Sequence, residues 1–265
     1  MASGLVRRNL VVDWRGEDFT NSPPTISLPD RSGNGNVGVA YNYTRDGITN
    51  GSDGNGAIIF VKDTIYDYIA NIQVVEVLFK LNQIPSNWAS VVTAYDLTGE
   101  YQCGIAFFVH SDYRLGIHYY DGATRHFDLF SDVTFSLNRL YHGLLQYNNI
   151  TGKLEFYLDG VLRKSILVPN LVLKPIKFGI GSWIPHAYQG YNFTGLIYQA
   201  RAYSSPLTDK EVFQNAMYSL DRYISEYKTI KNSEFIISEL MDASFITGDK
   251  IFGDFDILEK EDAKE

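Results

Sequence analysis

Between residues 104 and 168 apolar and polar positions alternate in short runs, each ended by a turn signal. Gly104–His110, Leu115–Tyr120, Arg125–Phe130, Val133–Phe135, Arg139–Tyr147, Lys153–Leu158 and Val161–Val168 read as strands. Leu154-Glu155-Phe156-Tyr157-Leu158 carries the period-two alternation of a half-buried strand. Asp-Gly separates two such runs at Asp121-Gly122 and again at Asp159-Gly160. Both residues of that pair tolerate positive φ, so each predicts a hairpin. Gln73–Leu81, Phe178–Gly181 and Leu196–Tyr203 add strands, and Val37–Tyr43 lies between the turn-forming runs Asp30–Asn36 and Thr49–Gly56. Strands at ~8–12-residue spacing predict an all-β antiparallel sandwich, although the pattern also fits a β-barrel.

One segment has the other periodicity. Thr208 stands three residues before Glu211, the reciprocal capping-box spacing, with Pro206 just upstream. Val212, Phe213, Ala216, Leu220 and Tyr223 then fall on one helical face, which predicts a helix from Asp209 to Glu226. Residues 1–225 therefore read as one domain closed by this helix, and residues 226–265 as a C-terminal arm. Residues 249–265 hold seven acids against three lysines, a net −4. Phe235, Ile236, Ile237, Leu240, Met241, Phe245, Ile251, Phe255 and Ile257 make the arm too apolar for a free linker. It is expected to pack outside the sandwich, on its own domain or on a neighbouring subunit.

Composition removes several classes of function. With 45% hydrophobic residues among 265, the chain has material for a sizeable core and is not globally disordered. A net charge of −8 argues against nucleic acid held by phosphate neutralisation. The single cysteine, Cys103, allows no internal disulfide framework and no cysteine zinc cluster. No apolar run reaches the ~18–20 residues of a membrane-spanning helix. Arg7-Arg8 interrupts the only leader-like stretch, so no signal peptide is expected.

Three motifs in order carry a resemblance. They are Asp30-Arg31-Ser32-Gly33-Asn34-Gly35-Asn36-Val37-Gly38, then Tyr141-His142 followed by Gly152 through Tyr157, Asp159 and Gly160, and finally Phe193-Thr194-Gly195-Leu196-Ile197 with Arg201, Tyr203 and Leu207-Thr208-Asp209-Lys210-Glu211. Across about residues 10–218 the chain resembles laminin-G-like members of the concanavalin A-like lectin/glucanase superfamily. Tyr141 stands where the pattern usually has Trp. The resemblance implies a two-sheet jelly roll; it does not imply a ligand, because function resides in sites grafted onto a fold.

Glycosidases of that superfamily use paired carboxylates on one strand, and no such pair is present: Glu76 is alone in its apolar strand, and Glu155 shares strand parity with Asp159, but Asp159 belongs to the turn. No catalytic residue is assigned, and the protein is expected not to be an enzyme. Cys103 reads as an inert core thiol. His110, His118 and His126 recur at hairpin spacing rather than as a ligand set, and no metal ligand or cofactor is assigned. The resemblance makes calcium conceivable at Asp30, Asn34 and Asn36, or at Asp53 and Asn55, whose simpler reading is turn formation.

Sugar binding is the remaining chemistry. Ser182–Tyr191 concentrates Trp183, His186, Tyr188 and Tyr191, with Pro185 stiffening the loop. Aromatic faces stack on sugar rings while amides and hydroxyls bond the ring hydroxyls. Asn87-Trp88 and Tyr119-Tyr120 are further exposed-looking aromatics. Sequons at Asn42, Asn50, Asn149 and Asn192 fit surface loops. Together these features predict a lectin-like surface protein, a virion or appendage component contacting host glycans. Its expected location is a virion surface or the extracellular space. A secreted carbohydrate-binding module is the alternative, followed by a glycoside hydrolase of the same superfamily.

Overall fold

The computed structural model describes residues 4–18, 26–41, 58–61, 72–85, 87–95, 104–171, 173, 177–181 and 193–230. Their strands are β1 (Leu10–Arg15), β2 (Ile26–Leu28), β3 (Gly38–Tyr41), β4 (Ile58–Val61), β5 (Val74–Leu81), β6 (Trp88–Tyr95), β7 (Gly104–His110), β8 (Arg114–Tyr120), β9 (Arg125–Thr134), β10 (Leu140–Asn148), β11 (Lys153–Leu158), β12 (Val161–Leu167), β13 (Lys177–Ile180) and β14 (Gly195–Tyr203), with one long helix, α1 (Asp209–Ile230). Two antiparallel sheets result, in the orders β1-β14-β5-β10-β11-β12 and β2-β3-β4-β13-β6-β7-β8-β9. This is the two-sheet sandwich that the resemblance implied, not a closed barrel.

Alternation decides which residues meet between the sheets. From β5 come Val75, Val77, Phe79 and Leu81; from β10, Tyr141 and Leu145; from β7, Phe107 and Val109. All are buried in one cluster with Trp14, Phe156, Phe178 and Phe193. Phe79 is its hub, with ring centroids of Phe135, Tyr141, Phe193 and Phe107 at 5.7–6.1 Å. Gly143 keeps the sheets close here, since a Cβ on it would lie 2.9 Å from Phe107.

The helix covers the opposite face of the six-stranded sheet. Val74, Leu144, Tyr157, Tyr203, Leu207 and Val212 form a second apolar cluster beneath it. The predicted capping box forms: the Thr208 amide donates to Glu211 at 2.9 Å and the Glu211 amide to the Thr208 hydroxyl at 3.4 Å. The entry to the helix is held by Gln146, whose side-chain amide donates to the Leu207 carbonyl at 3.1 Å and accepts from the Leu207 amide at 2.9 Å. The helix runs to Ile230, one turn past the predicted end. The arm beyond it, residues 231–265, lies outside the described residues.

Two local expectations are corrected. Asp159 and Gly160 both take positive φ, 53° and 78°, as the hairpin rule requires. At the other pair only Gly122 does, at 95°, while Asp121 accepts from the Ala123 and Thr124 amides and makes a longer turn. The strands expected at 125–130 and 133–135 are one strand, β9, whose pairing with β8 jumps from Leu115↔Phe130 to Arg114↔Thr134. A bulge absorbs residues 131–133, so the alternation breaks without ending the strand.

Candidate functional site

The carboxylates weighed for catalysis are occupied elsewhere. Glu76 is buried under α1, where the Arg201 guanidinium contacts it, His142 Nε2 donates to it at 3.0 Å and Asn215 donates at 2.9 Å. Burial alone would raise its pKa; the Arg201 charge and then the His142 hydrogen bond overcome this and hold it at about 2. A sealed carboxylate held ionised at neutral pH can neither donate a proton to a substrate nor reach one. Glu155 accepts from Gln146 at 3.0 Å beside Tyr157, which in turn donates to Asp209 at 2.7 Å. Both glutamates belong to the helix–sheet junction.

The loop weighed for calcium is stitched to β1. Asp30 accepts from the amides of Asp13, Ser32 and Asn36 and from the Ser32 hydroxyl, at 2.7–3.0 Å. Asn34 and Asn36 donate to the carbonyls of Leu10 and Val11, both at 2.8 Å. These bonds close the turn at residues 30–36 and tie it to β1. No group of three or more metal-ligating side chains gathers among the described residues.

Of the aromatics, Tyr119 is buried: its hydroxyl donates to Asp128 at 2.9 Å and its ring stacks on His126 at 4.7 Å. Tyr120 donates to the Gly122 carbonyl. Among the histidines, His118 lies on the outer face of the eight-stranded sheet, paired with Phe127, whereas His126 pairs with Tyr119 on the inner face. They are not one ligand set. Of the sequons, Asn149 is exposed on the β10–β11 turn; the other three lie outside the described residues, as do Cys103, Asp53 and Asn55.

Trp88 is different. Register places Trp88 opposite His110, Phe108 opposite Gly116, and His118 opposite Phe127, all on the outer face of β6–β9. The Trp88 indole lies 4.6 Å from His110, 6.0 Å from Phe108 and 6.3 Å from Phe127, edge-on to each. Phe108 and His118 are buried at the base, while Trp88 and His110 are half-buried and Phe127 is 47% exposed. Glycine creates the seat: a Cβ on Gly116 would lie 2.4 Å from Trp88 Cζ3, so the indole rests where β8 has no side chain.

Polar groups border this platform at the β7–β8 turn. His110 Nδ1 is 2.6 Å from Asp112, and Arg114 Nε donates to the other Asp112 oxygen at 2.7 Å. The hydrogen bond from Arg114, opposed by some desolvation and aided by His110, holds Asp112 below the usual carboxylate range. An ionised acceptor and the side-chain nitrogens of Arg114 and His110 thus lie beside aromatic rings. That combination suits a ring with one apolar face and hydroxyls at its edge.

The sequence-predicted ligand residues Trp183, His186, Tyr188 and Tyr191 lie outside the described residues, but the base of their loop does not. The Gly181 amide donates to the Val91 carbonyl, and the Phe193 amide to the Gly181 carbonyl at 2.9 Å. Since β13 runs antiparallel to β6 with Ile180 opposite Val92, Gly181 lies toward the end where Trp88 begins β6.

Comparison with known proteins agrees with this architecture. The Trypanosoma rangeli sialidase in complex with sialic acid superposes with a TM-score of 0.61 at 16% identity, over 81% of this chain and 33% of that one. The receptor-binding domain of botulinum neurotoxin D gives 0.54 at 16% identity, over 81% and 53%. A structure described as showing that cell entry of botulinum neurotoxin type C depends on two ganglioside molecules gives 0.50 at 12% identity, over 80% and 52%. The chain thus spans a third to about half of these proteins. No curated protein matches it in sequence. A laminin G family profile matches residues 70–213, more than half of the chain, and the chain belongs to the concanavalin A-like lectin/glucanases superfamily.

Proposed function

We propose that this protein is a non-enzymatic glycan-binding module whose site is the Trp88 end of the eight-stranded sheet. The observation that carries the reading is the Trp88 indole seated on Gly116 beside the ionised Asp112. Trp183, His186, Tyr188 and Tyr191 complete the site from the loop anchored at the same end. The burial of Glu76 under α1 supports binding without hydrolysis. Two larger proteins that share this fold over a third to about half of their length are described, one with sialic acid and one with gangliosides, and this favours a sugar among the possible ligands. The finer form of the reading is a virion or appendage component meeting host glycans, with the C-terminal arm as its contact to other subunits.

A glycan array with the full chain tests the reading, followed by calorimetry on the best ligand. Trp88→Ala should weaken binding by ~1–3 kcal/mol, the scale of one aromatic stacking surface. Gly116→Ala should do nearly the same while leaving Trp88 in the sequence, because the added methyl displaces the indole. Trp183→Ala and Tyr188→Ala should each lose affinity as well. Absence of binding to any glycan, or unchanged affinity in Trp88→Ala with an intact fold, would remove the proposal.

A further inference from the structure

Strand β12 is an edge strand with an unusual surface. It closes one side of the six-stranded sheet and pairs with β11 alone among the described residues. Lys164 points toward the facing sheet, where it meets Asp132 of β9 and lies 5.1 Å from the Phe130 ring centroid. An inward lysine of this kind discourages pairing with an identical edge. Two antiparallel β12 strands centred on Lys164 would also set that lysine against its own copy.

Its other positions invite a partner. Val161 and Leu162 are each 44% exposed and Leu167 69%, so three of the six large hydrophobics exposed among the described residues fall on this one strand. Arg163 is exposed between them. The complementary partner is an extended segment with alternating apolar and acidic residues. This chain contains one: Asp254-Phe255-Asp256-Ile257-Leu258-Glu259, inside the tail of net charge −4.

We propose that residues 254–259 of one copy add as a strand to β12 of a second copy. The course of α1 favours exchange over docking within one chain. Its first turns lie against the β11–β12 corner, where a Cβ on Gly160 would be 3.2 Å from Phe213 and Ala216. Farther along, Tyr223 meets Tyr198 of β14 at 4.6 Å between ring centroids. The helix therefore crosses the sheet away from β12, and a return from its end to its own edge is a detour back across the width of the sheet. A neighbouring copy presents the same edge without that detour, and mutual exchange closes a two-fold dimer. Backbone hydrogen bonds would supply affinity, and the acidic–basic match its register.

Sedimentation of the full chain tests this inference independently of glycan binding. The wild-type chain should sediment as a dimer. Leu167→Asp, which spoils the receiving edge, and the double variant Phe255→Asp/Ile257→Asp, which spoils the donor, should each halve the mass while keeping the thermal midpoint of the domain. Mixing the two variants should restore a weaker hetero-pair, since one retains an intact donor and the other an intact edge; self-association through any other face gives no such rescue. A monomeric wild type, or variants that remain dimeric, would overturn the proposal.

Discussion

Replacing Arg201 with methionine should destabilise the protein by about 3–5 kcal/mol, the cost of leaving a buried charge without its partner. Register sets Asp13, Arg201 and Glu76 side by side on β1, β14 and β5, and all three are buried beneath α1. Arg201 contacts Glu76 directly, donates to Asp13 at 3.3 Å and reaches Ser219 of the helix at 3.0 Å. Arg15 supplies the second positive charge, 2.8 Å from Asp13, so two acids and two arginines balance. Methionine fills the volume but leaves Glu76 ionised with only His142 and Asn215. Asp13 retains Arg15 and tolerates the change better. Adding Glu76→Gln to Arg201→Met removes the stranded charge and should recover much of the loss. Urea unfolding of the two variants checks this; a loss under about 1 kcal/mol for Arg201→Met would show that the row of charges adds little.

The same residues show how far the sequence was legible. Glu76 stood out as a lone acid in an apolar strand, and Arg201 belonged to the closing motif of the resemblance. Nothing local joined them, because 125 positions separate the partners and only the β14–β5 register brings them together. Thr208 and Glu211 were legible as a cap because both partners lie within one helical turn. The Asp-Gly pairs fall between these cases. The dipeptide marked a turn both times, but the turn type depends on pairing of the flanking strands, which the dipeptide does not contain.

The candidate site divides in the same way. Trp88 was visible as an exposed-looking aromatic, since it follows Asn87 at the mouth of a strand. Its platform was not, because His110, Gly116 and Phe127 come from three successive strands whose order and offset emerge only when the sheet forms. Gly116 in particular gives no signal: within Leu115-Gly116-Ile117 it reads as a weak point in a strand rather than as a seat for an indole. The motifs that identified the fold serve architecture. His142 and Arg201 surround Glu76, and Asp159 accepts from the His142 amide at 2.9 Å. Resemblance therefore located the scaffold, and the binding reading rests on residues outside its pattern.

Acid should destabilise this protein in two stages. His118 lies at the base of the platform, 4.4 Å from the Phe127 ring. Burial, then the charges of Arg125 and His126, lower its pKa from 6.5 to about 3. A folded-state value below the unfolded one means that the unfolded chain takes up the proton first. The stability contributed by neutral His118 is therefore complete above about pH 6.5 and drains away as pH falls toward 3. Glu76, lowered from 4.5 to about 2, follows: its contribution is complete above about pH 4.5 and is lost below it. Each group accounts for on the order of 3–5 kcal/mol at the acid end of its window. Thermal midpoints should begin to fall just below pH 6.5 and steepen below 4.5. His118→Phe, which keeps an aromatic ring without a titrating nitrogen, should flatten the first stage and leave the second. If the wild-type midpoint is level between pH 6.5 and 4.5, His118 is not held neutral by its surroundings. A normal first stage in His118→Phe would assign that stage to another group. Because folded His118 stays neutral down to about pH 3, its support of Phe127 persists through the first window, and glycan affinity at the Trp88 platform should hold there as long as the wild-type domain stays folded.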